Sequence, residues 1–170
     1  MTVPIAQPSI RLRVPRPDDA TAWHRVFDHP DVMEFHGGSA QDLAHDEEFT
    51  ERQRELAAEH GFCLYTLLDE TDQVLGFTGA QPWPQPWGPV GEIEIGWRLG
   101  RAFWGLGYAT LAAEATLERV RAAGVDRVVA MVDARNERSL AVTRRLGMRR
   151  AETYVSPVSG VTAVCHRLEL

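Results

Sequence analysis

Between Val90 and Asp133 the chain runs strand, glycine turn, long helix, strand. That order admits few geometries, because a strand–helix–strand crossover pairs its two strands in parallel through a right-handed connection. Val90 to Leu99 is the first strand. Gly107 to Ala123 is the helix, with Ala113, Leu117 and Val120 on one face and Gly124 as its stop. Arg127 to Asp133, built on Val128, Val129 and Val132, reads as a buried strand.

The flanking segments fill out a sheet. Ile10, Leu12 and Val14 alternate with Arg11 and Arg13, which predicts a half-buried strand over Ser9 to Val14. Pro17-Asp18-Asp19 opens a helix carrying Trp23, Val26 and Phe27 at helical spacing. Gly37-Gly38-Ser39 separates it from a second helix, Asp42 to His60, with Leu43, Phe49, Gln53 and Leu56 along one side. Phe62 to Leu68 and Val74 to Ala80 read as a hairpin turning at Asp69 to Gln73. Gln81 to Pro89 is too rich in proline for a central strand and is expected as a loop. Ser139 to Leu146 forms a short helix closed by Gly147, and Arg149 to Val155 with Val161 to Leu170 forms a last strand pair. The order β-α-α-β-β-β-α-β-α-β-β predicts an α/β (α+β) fold, a mixed sheet with helices on its faces. At 170 residues the chain suits one domain over residues 1–170.

Charge removes several functions. All 18 cationic residues are arginine, so Schiff-base chemistry on a lysine and a Walker-type phosphate lysine are excluded. A net charge of −6 leaves no general footprint for nucleic acid or an anionic membrane. Cys63 and Cys165 are far apart, with no C-x-x-C, and are expected as small core hydrophobes. The histidines form no metal-binding spacing, so no metal is expected. No run of about 18 apolar residues and no signal-like N-terminus is present, which points to the cytoplasm.

The chemistry concentrates where the strand meets the helix. The turn at Gly105 and Gly107 leaves backbone N–H groups without intrahelical partners at the positive end of a helix. The missing Cβ atoms allow a phosphate to approach those amides. A third glycine, as in dinucleotide-binding loops, is absent.

A wider pattern surrounds this loop: Glu94-Ile95-Gly96-Trp97, Leu99, then Trp104-Gly105-Leu106-Gly107-Tyr108-Ala109-Thr110, then Asn136, Ser139 and Arg145-Leu146-Gly147-Met148. In this order the motifs resemble the GNAT superfamily of acetyl-CoA-dependent N-acetyltransferases. Within it they resemble the branch of the Rim-type ribosomal-protein N-terminal acetyltransferases. The resemblance runs from the Arg11-Leu12-Arg13 strand to Leu170. It implies a single-domain fold with a splayed mixed sheet and acetyl-CoA as cofactor. It makes Trp104 to Thr110 (Trp104, Gly105, Leu106, Gly107, Tyr108, Ala109, Thr110) the pyrophosphate loop. Backbone groups of Trp97 and Leu99 would bond the pantetheine, and Asn136 and Ser139 would contact the cofactor from the other side. Arg98, Arg101 and Arg138 suit its 3′-phosphate. Two positions depart from the family pattern. Ala102 stands where relatives carry Gln or Arg, and Thr143 where many carry a tyrosine.

Acetyl transfer to an amine needs a proton acceptor. Glu92 and Glu94, two apart on a strand, are expected to share a face and to serve as the base, their proximity raising one pKa. A backbone N–H near Trp97 is the candidate oxyanion donor. Ser139, Thr143, Tyr108 and Tyr154 are candidates for protonating the departing thiolate. His24 and His36 fall in the region that caps the acceptor site in relatives, and Trp23, Phe27, Trp83 and Trp87 are candidate walls for it. The expected acceptor is a small-molecule amine or a protein N-terminus, used in a ternary complex, with a homodimer open. The alternative is a non-catalytic acyl-CoA-binding sensor module.

Overall fold

The computed structural model describes residues 6–170. In chain order it has β1 (Ile10–Arg13), α1 (Asp19–Phe27), α2 (Pro30–Met33), α3 (Leu43–His60), β2 (Leu64–Asp69), β3 (Val74–Pro82) and β4 (Ile93–Leu99). A 3-10 turn at Arg101–Phe103 leads to α4 (Tyr108–Ala122), β5 (Arg127–Asp133), α5 (Glu137–Arg145), β6 (Arg149–Val155) and β7 (Thr162–Glu169). The expected order of strands and long helices is therefore present.

One seven-stranded sheet runs β1-β2-β3-β4-β5-β7-β6. Every neighbouring pair is antiparallel except β4 and β5, the strands joined by α4. That parallel contact is short, holding only Ile93↔Val128 and Glu94↔Val129 in register. Beyond Glu94 the two strands part, and the sheet splays.

Alternation along the strands builds two cores, one on each face. Leu75, Ile95, Leu99 and Val128 pack with Ala112, Ala113, Leu117 and Val120 of α4. Phe77 and Leu64 face the other way and pack with Trp23, Phe27, Val32 and Met33. Asp19, at the first turn of α1, ties that helix to the sheet. It accepts from the Arg16 N–H at 2.7 Å and the Thr66 hydroxyl at 2.8 Å, and pairs with Arg13.

Several local expectations shift. Val90 is exposed in a turn and β4 begins at Ile93, because the chain from Pro82 loops through Trp83, whose indole donates to the Trp87 carbonyl. Helix α2 was not expected. Pro30 sits at its first position and the His29 ring accepts the Asp31 N–H at 3.1 Å, a capping arrangement too short for periodicity to reveal. Helix α3 is capped by Asp42, which accepts the His45 N–H at 2.9 Å, and stops at Gly61. It buries Asp46, Thr50 and Gln53 fully, while Phe49, Leu56 and Ala57 pack partly buried against the two cores and Leu43 is exposed, so its inner face is mixed.

Candidate active site

The splay opens a cavity of about 840 Å³ between β4, the start of α4 and the start of α5. Gly105 and Gly107 both take positive φ, 73° and 86°, which favours glycine. Gly107 caps α4 without any side chain closing the helix end. Among the described residues, the N–H groups of Gly105 to Thr110 have no acceptor within the protein. These residues line one wall of the cavity at the positive end of the α4 dipole.

Trp104 fixes the shape of this loop. Its indole donates to the Leu99 carbonyl at 2.9 Å, engaging one of the groups assigned to pantetheine. Arg138 and Arg101 lie over its ring at 4.4 and 4.9 Å, and Arg101 is held by Asp31 at 3.1 Å. Arg101 thus brings charge beside Ala102. Asn136 caps α5 by accepting the Ser139 N–H at 3.2 Å, and the Ser139 hydroxyl accepts from the Trp97 indole at 3.3 Å. Trp97, Leu99, the whole stretch Trp104 to Thr110, Asn136 and Ser139 all line this cavity.

A second cavity of about 240 Å³ opens from the same place, sharing Phe35, His36, Trp97, Arg98, Asn136 and Ser139 with the first. Glu94 lies in it, partly buried. A chain of amides orients that carboxyl. The Leu64 N–H donates to Gln53 Oε1 at 2.9 Å, Gln53 Nε2 donates to Gln81 Oε1 at 3.1 Å, and Gln81 Nε2 reaches Glu94 at 3.5 Å. The backbone donor at one end thus dictates that an N–H faces Glu94 at the other.

Burial pushes the Glu94 pKa up to about 7, against the opposing Gln81 hydrogen bond and the charge of Arg98. The neighbouring carboxylate plays no part in this rise. Glu92 falls in the turn before β4, where Arg167 grips it at 2.7 and 2.9 Å and Arg127 at 3.0 Å. The Arg167 hydrogen bonds hold its carboxyl below the usual range. Glu92 lines neither cavity, so the expected pair is divided: Glu94 is in the site and Glu92 ties the edge of β4 to β5 and β7.

Other assignments also separate. Burial drives His36 down to about 3, aided by Arg98, so a neutral imidazole stands at the junction. Arg98 leaves the phosphate loop for the opposite face, its guanidinium 5.3 Å from the ring centres of both Phe27 and Phe77. Thr143 is sealed in the protein, donating to the Leu140 carbonyl at 2.7 Å, and Tyr154 lies on the exposed outer strand β6. Tyr108 lines the larger cavity and Ser139 both, so Ser139 is the hydroxyl at the junction. Trp23 and Phe27 are core, while Trp83 and Trp87 meet edge to face; none lines either cavity. Phe35, Phe49 and Phe77 form the aromatic walls instead. His24 pairs with Asp46 at 3.0 Å outside the cavities. Cys63 and Cys165 are buried free thiols, pushed by burial to about 12 and about 11. No metal-binding cluster occurs among the described residues, and no helix among them is long and apolar enough to cross a membrane.

Known proteins resemble this chain in sequence or in fold. YkkB, an uncharacterized protein of Bacillus subtilis (strain 168), is 32% identical over 149 residues, covering 85% of this chain and 84% of that protein. A GNAT-family acetyltransferase from Bacillus anthracis superposes with a TM-score of 0.79 at 20% identity, covering 97% of each chain. The structure of yncA from Salmonella typhimurium with its cofactor acetyl-CoA has a TM-score of 0.73 at 16% identity, covering 95% of this chain and 94% of that one. The acetyltransferase (GNAT) domain family matches residues 9–149, and the chain belongs to that family of acetyltransferases.

Proposed function

We propose that this acetyltransferase moves an acetyl group from acetyl-CoA to a primary amine, by direct attack in a ternary complex. The observation that carries the reading is the joining of two cavities: one walled by unpartnered amides from Gly105 to Thr110, the other holding Glu94. The residues present fit acetyl-CoA. Six consecutive N–H groups without acceptors suit a diphosphate, Arg101 and Arg138 add positive charge nearby, and the cavity of about 840 Å³ suits a large ligand. When bound, acetyl-CoA supplies an activated acyl group on a thiolate leaving group.

The chain's own residues supply the rest. An alkyl amine is mostly protonated at neutral pH, and Glu94, at about 7, is poised to take its proton. The amine nitrogen gains the acetyl carbon and the C–S bond breaks. Ser139 receives its hydrogen bond from Trp97, which leaves its own O–H free to donate to the departing sulfur, and the second proton released by the attacking nitrogen passes to that sulfur. The main chain at Trp97 is the candidate donor to the developing oxyanion. We read Glu94 as the base, Glu92 as its structural neighbour, and Trp97, Leu99, Trp104 to Thr110, Asn136 and Ser139 as the cofactor contacts. We place the chain in the Rim-type branch, as one domain over residues 1–170 working in the cytoplasm, where buried thiols such as Cys63 and Cys165 stay reduced. The exposed edge of β6 is the surface on which a second copy would pair in a homodimer.

Calorimetric titration with acetyl-CoA, followed by thiol-release assays over a panel of amines, tests the reading. Saturable binding and turnover of at least one amine are expected. Glu94→Gln should lose about 10²–10⁴-fold in turnover with acetyl-CoA affinity intact, and Glu92→Gln should keep its turnover. Binding without turnover over the whole panel makes the chain an acyl-CoA sensor instead.

A further inference from the structure

Arg98 is a cation without an anion. It stands on β4 opposite Phe77, and its guanidinium lies 5.3 Å from the ring centres of both Phe77 and Phe27. Among the described residues no carboxylate lies within ion-pairing distance, and its buried Nε has no hydrogen-bond partner.

The charged groups around it are committed elsewhere. Asp46, from α3, accepts from His24 at 3.0 Å. Asp133, at the end of β5, is clasped by Arg135 at 2.8 and 3.1 Å. Glu94, on the same face of β4, is oriented by Gln81 and sits near half-protonation at neutral pH. His36 is neutral. Partly burying a guanidinium with its Nε unpartnered is costly, and the two aromatic rings beside it offset only part of that cost. Burial lowers Arg98 to about 10, so the charge persists at neutral pH.

Resting on the acetyltransferase reading, we infer that Arg98 receives an anionic group of the acceptor, so that the substrate is a small amine that also carries a carboxylate or phosphonate. A guanidinium presents paired donors matched to such a group. Arg98 and Glu94 flank the same cavity of about 240 Å³, with Phe35, Phe49 and Phe77 around the space between. That volume is below the ~300–1,000 Å³ of sites for drug-sized ligands and suits an amino-acid-sized zwitterion. At a protein N-terminus the α-carboxyl is consumed in the peptide bond, so the inference favours a small acceptor over a protein one.

The test compares acetylation of amino acids with that of their primary amides and decarboxylated amines, in wild type and Arg98→Met. Wild type should favour acids over amides by at least about tenfold in kcat/KM, and the ratio should fall to near one in Arg98→Met. Arg98→Lys should recover part of the ratio. Because the ratio is taken within each protein, a partly damaged variant still reads it. Should Arg98→Met fail to fold, inhibition of wild type gives the same information: amine-free carboxylic acids should compete with the acceptor and their amides should not. Equal use of acids and amides by wild type, or an unchanged ratio in Arg98→Met, overturns the inference while leaving the acetyltransferase reading in place. A uniform loss over all acceptors would assign Arg98 to the transferred acetyl group instead, and overturns it equally. No turnover of any amine overturns the acetyltransferase reading itself, and the inference with it.

Discussion

Replacing Glu94 by glutamine should disable the protein and stabilise it at the same time. The carboxyl has an ordinary value of 4.5 and is pushed to about 7 by burial in the folded chain. Below pH 4.5 it is neutral in both folded and unfolded chains and costs nothing. As pH rises toward 7, the unfolded chain releases the proton freely while the folded chain retains it, so stability present at low pH is lost across that window. Each pH unit of displacement is worth about 1.4 kcal/mol, so a difference of about 2.5 corresponds to about 3 kcal/mol. The side chain is only partly buried, and solvent in the cavity reduces this to about 1–3 kcal/mol. Glutamine keeps the shape and still accepts from Gln81, but carries no charge. Urea unfolding of both proteins at pH 5 and pH 8 isolates the effect, since every other group titrates alike. Glu94→Gln should be more stable by about 1–3 kcal/mol at pH 8, several degrees in Tm for a domain of this size, and by only about a quarter of that at pH 5. No gain at pH 8, or the same gain at both pH values, would refute the reasoning.

The rate should carry the same signature. In wild type kcat/KM should rise through about pH 7 as Glu94 loses its proton, and Gln81→Leu, which removes the donor that lowers this value, should move the rise to higher pH; a shift downward contradicts the amide chain. Gly107→Ala and Gly124→Ala form a matched pair at the two ends of α4, with φ of 86° and 85° and nothing within 4 Å of either added Cβ. Thermal unfolding should show about 1 kcal/mol lost in each. Calorimetry should show weakened acetyl-CoA binding in Gly107→Ala alone, and equal weakening in both would remove the loop from the binding surface.

The part of the fold that sequence made legible is the part governed by local rules. The crossover from β4 through α4 to β5 follows from strand, glycine and helix signals that need no distant partner, and the cavity-lining stretch Trp104 to Thr110 lies within it. Glu94 was legible by alternation. Glu92 was not, because alternation assumes a strand that in fact starts at Ile93, and because Arg167 is 75 residues away along the chain. The inner face of α3 escaped for a related reason. Its fully buried residues are Asp46, Thr50 and Gln53, and hydrophobic spacing looks for the opposite. Helical spacing puts Gln53 on one side with Leu43, Phe49 and Leu56 but does not give its partner, because its bond to Gln81 links residues 28 positions apart. The tryptophans of the proline-rich loop satisfy each other, so residue type alone misplaced the aromatic wall that Phe35, Phe49 and Phe77 provide.

Backbone amide NMR during titration with CoA tests the phosphate cradle most directly. The largest shifts are expected at Gly105 through Thr110, with smaller ones at Trp97 and Ser139, and the six loop amides should gain protection from hydrogen exchange. Saturation of binding with those amides unmoved, and the response centred on another face of the sheet, would contradict the account.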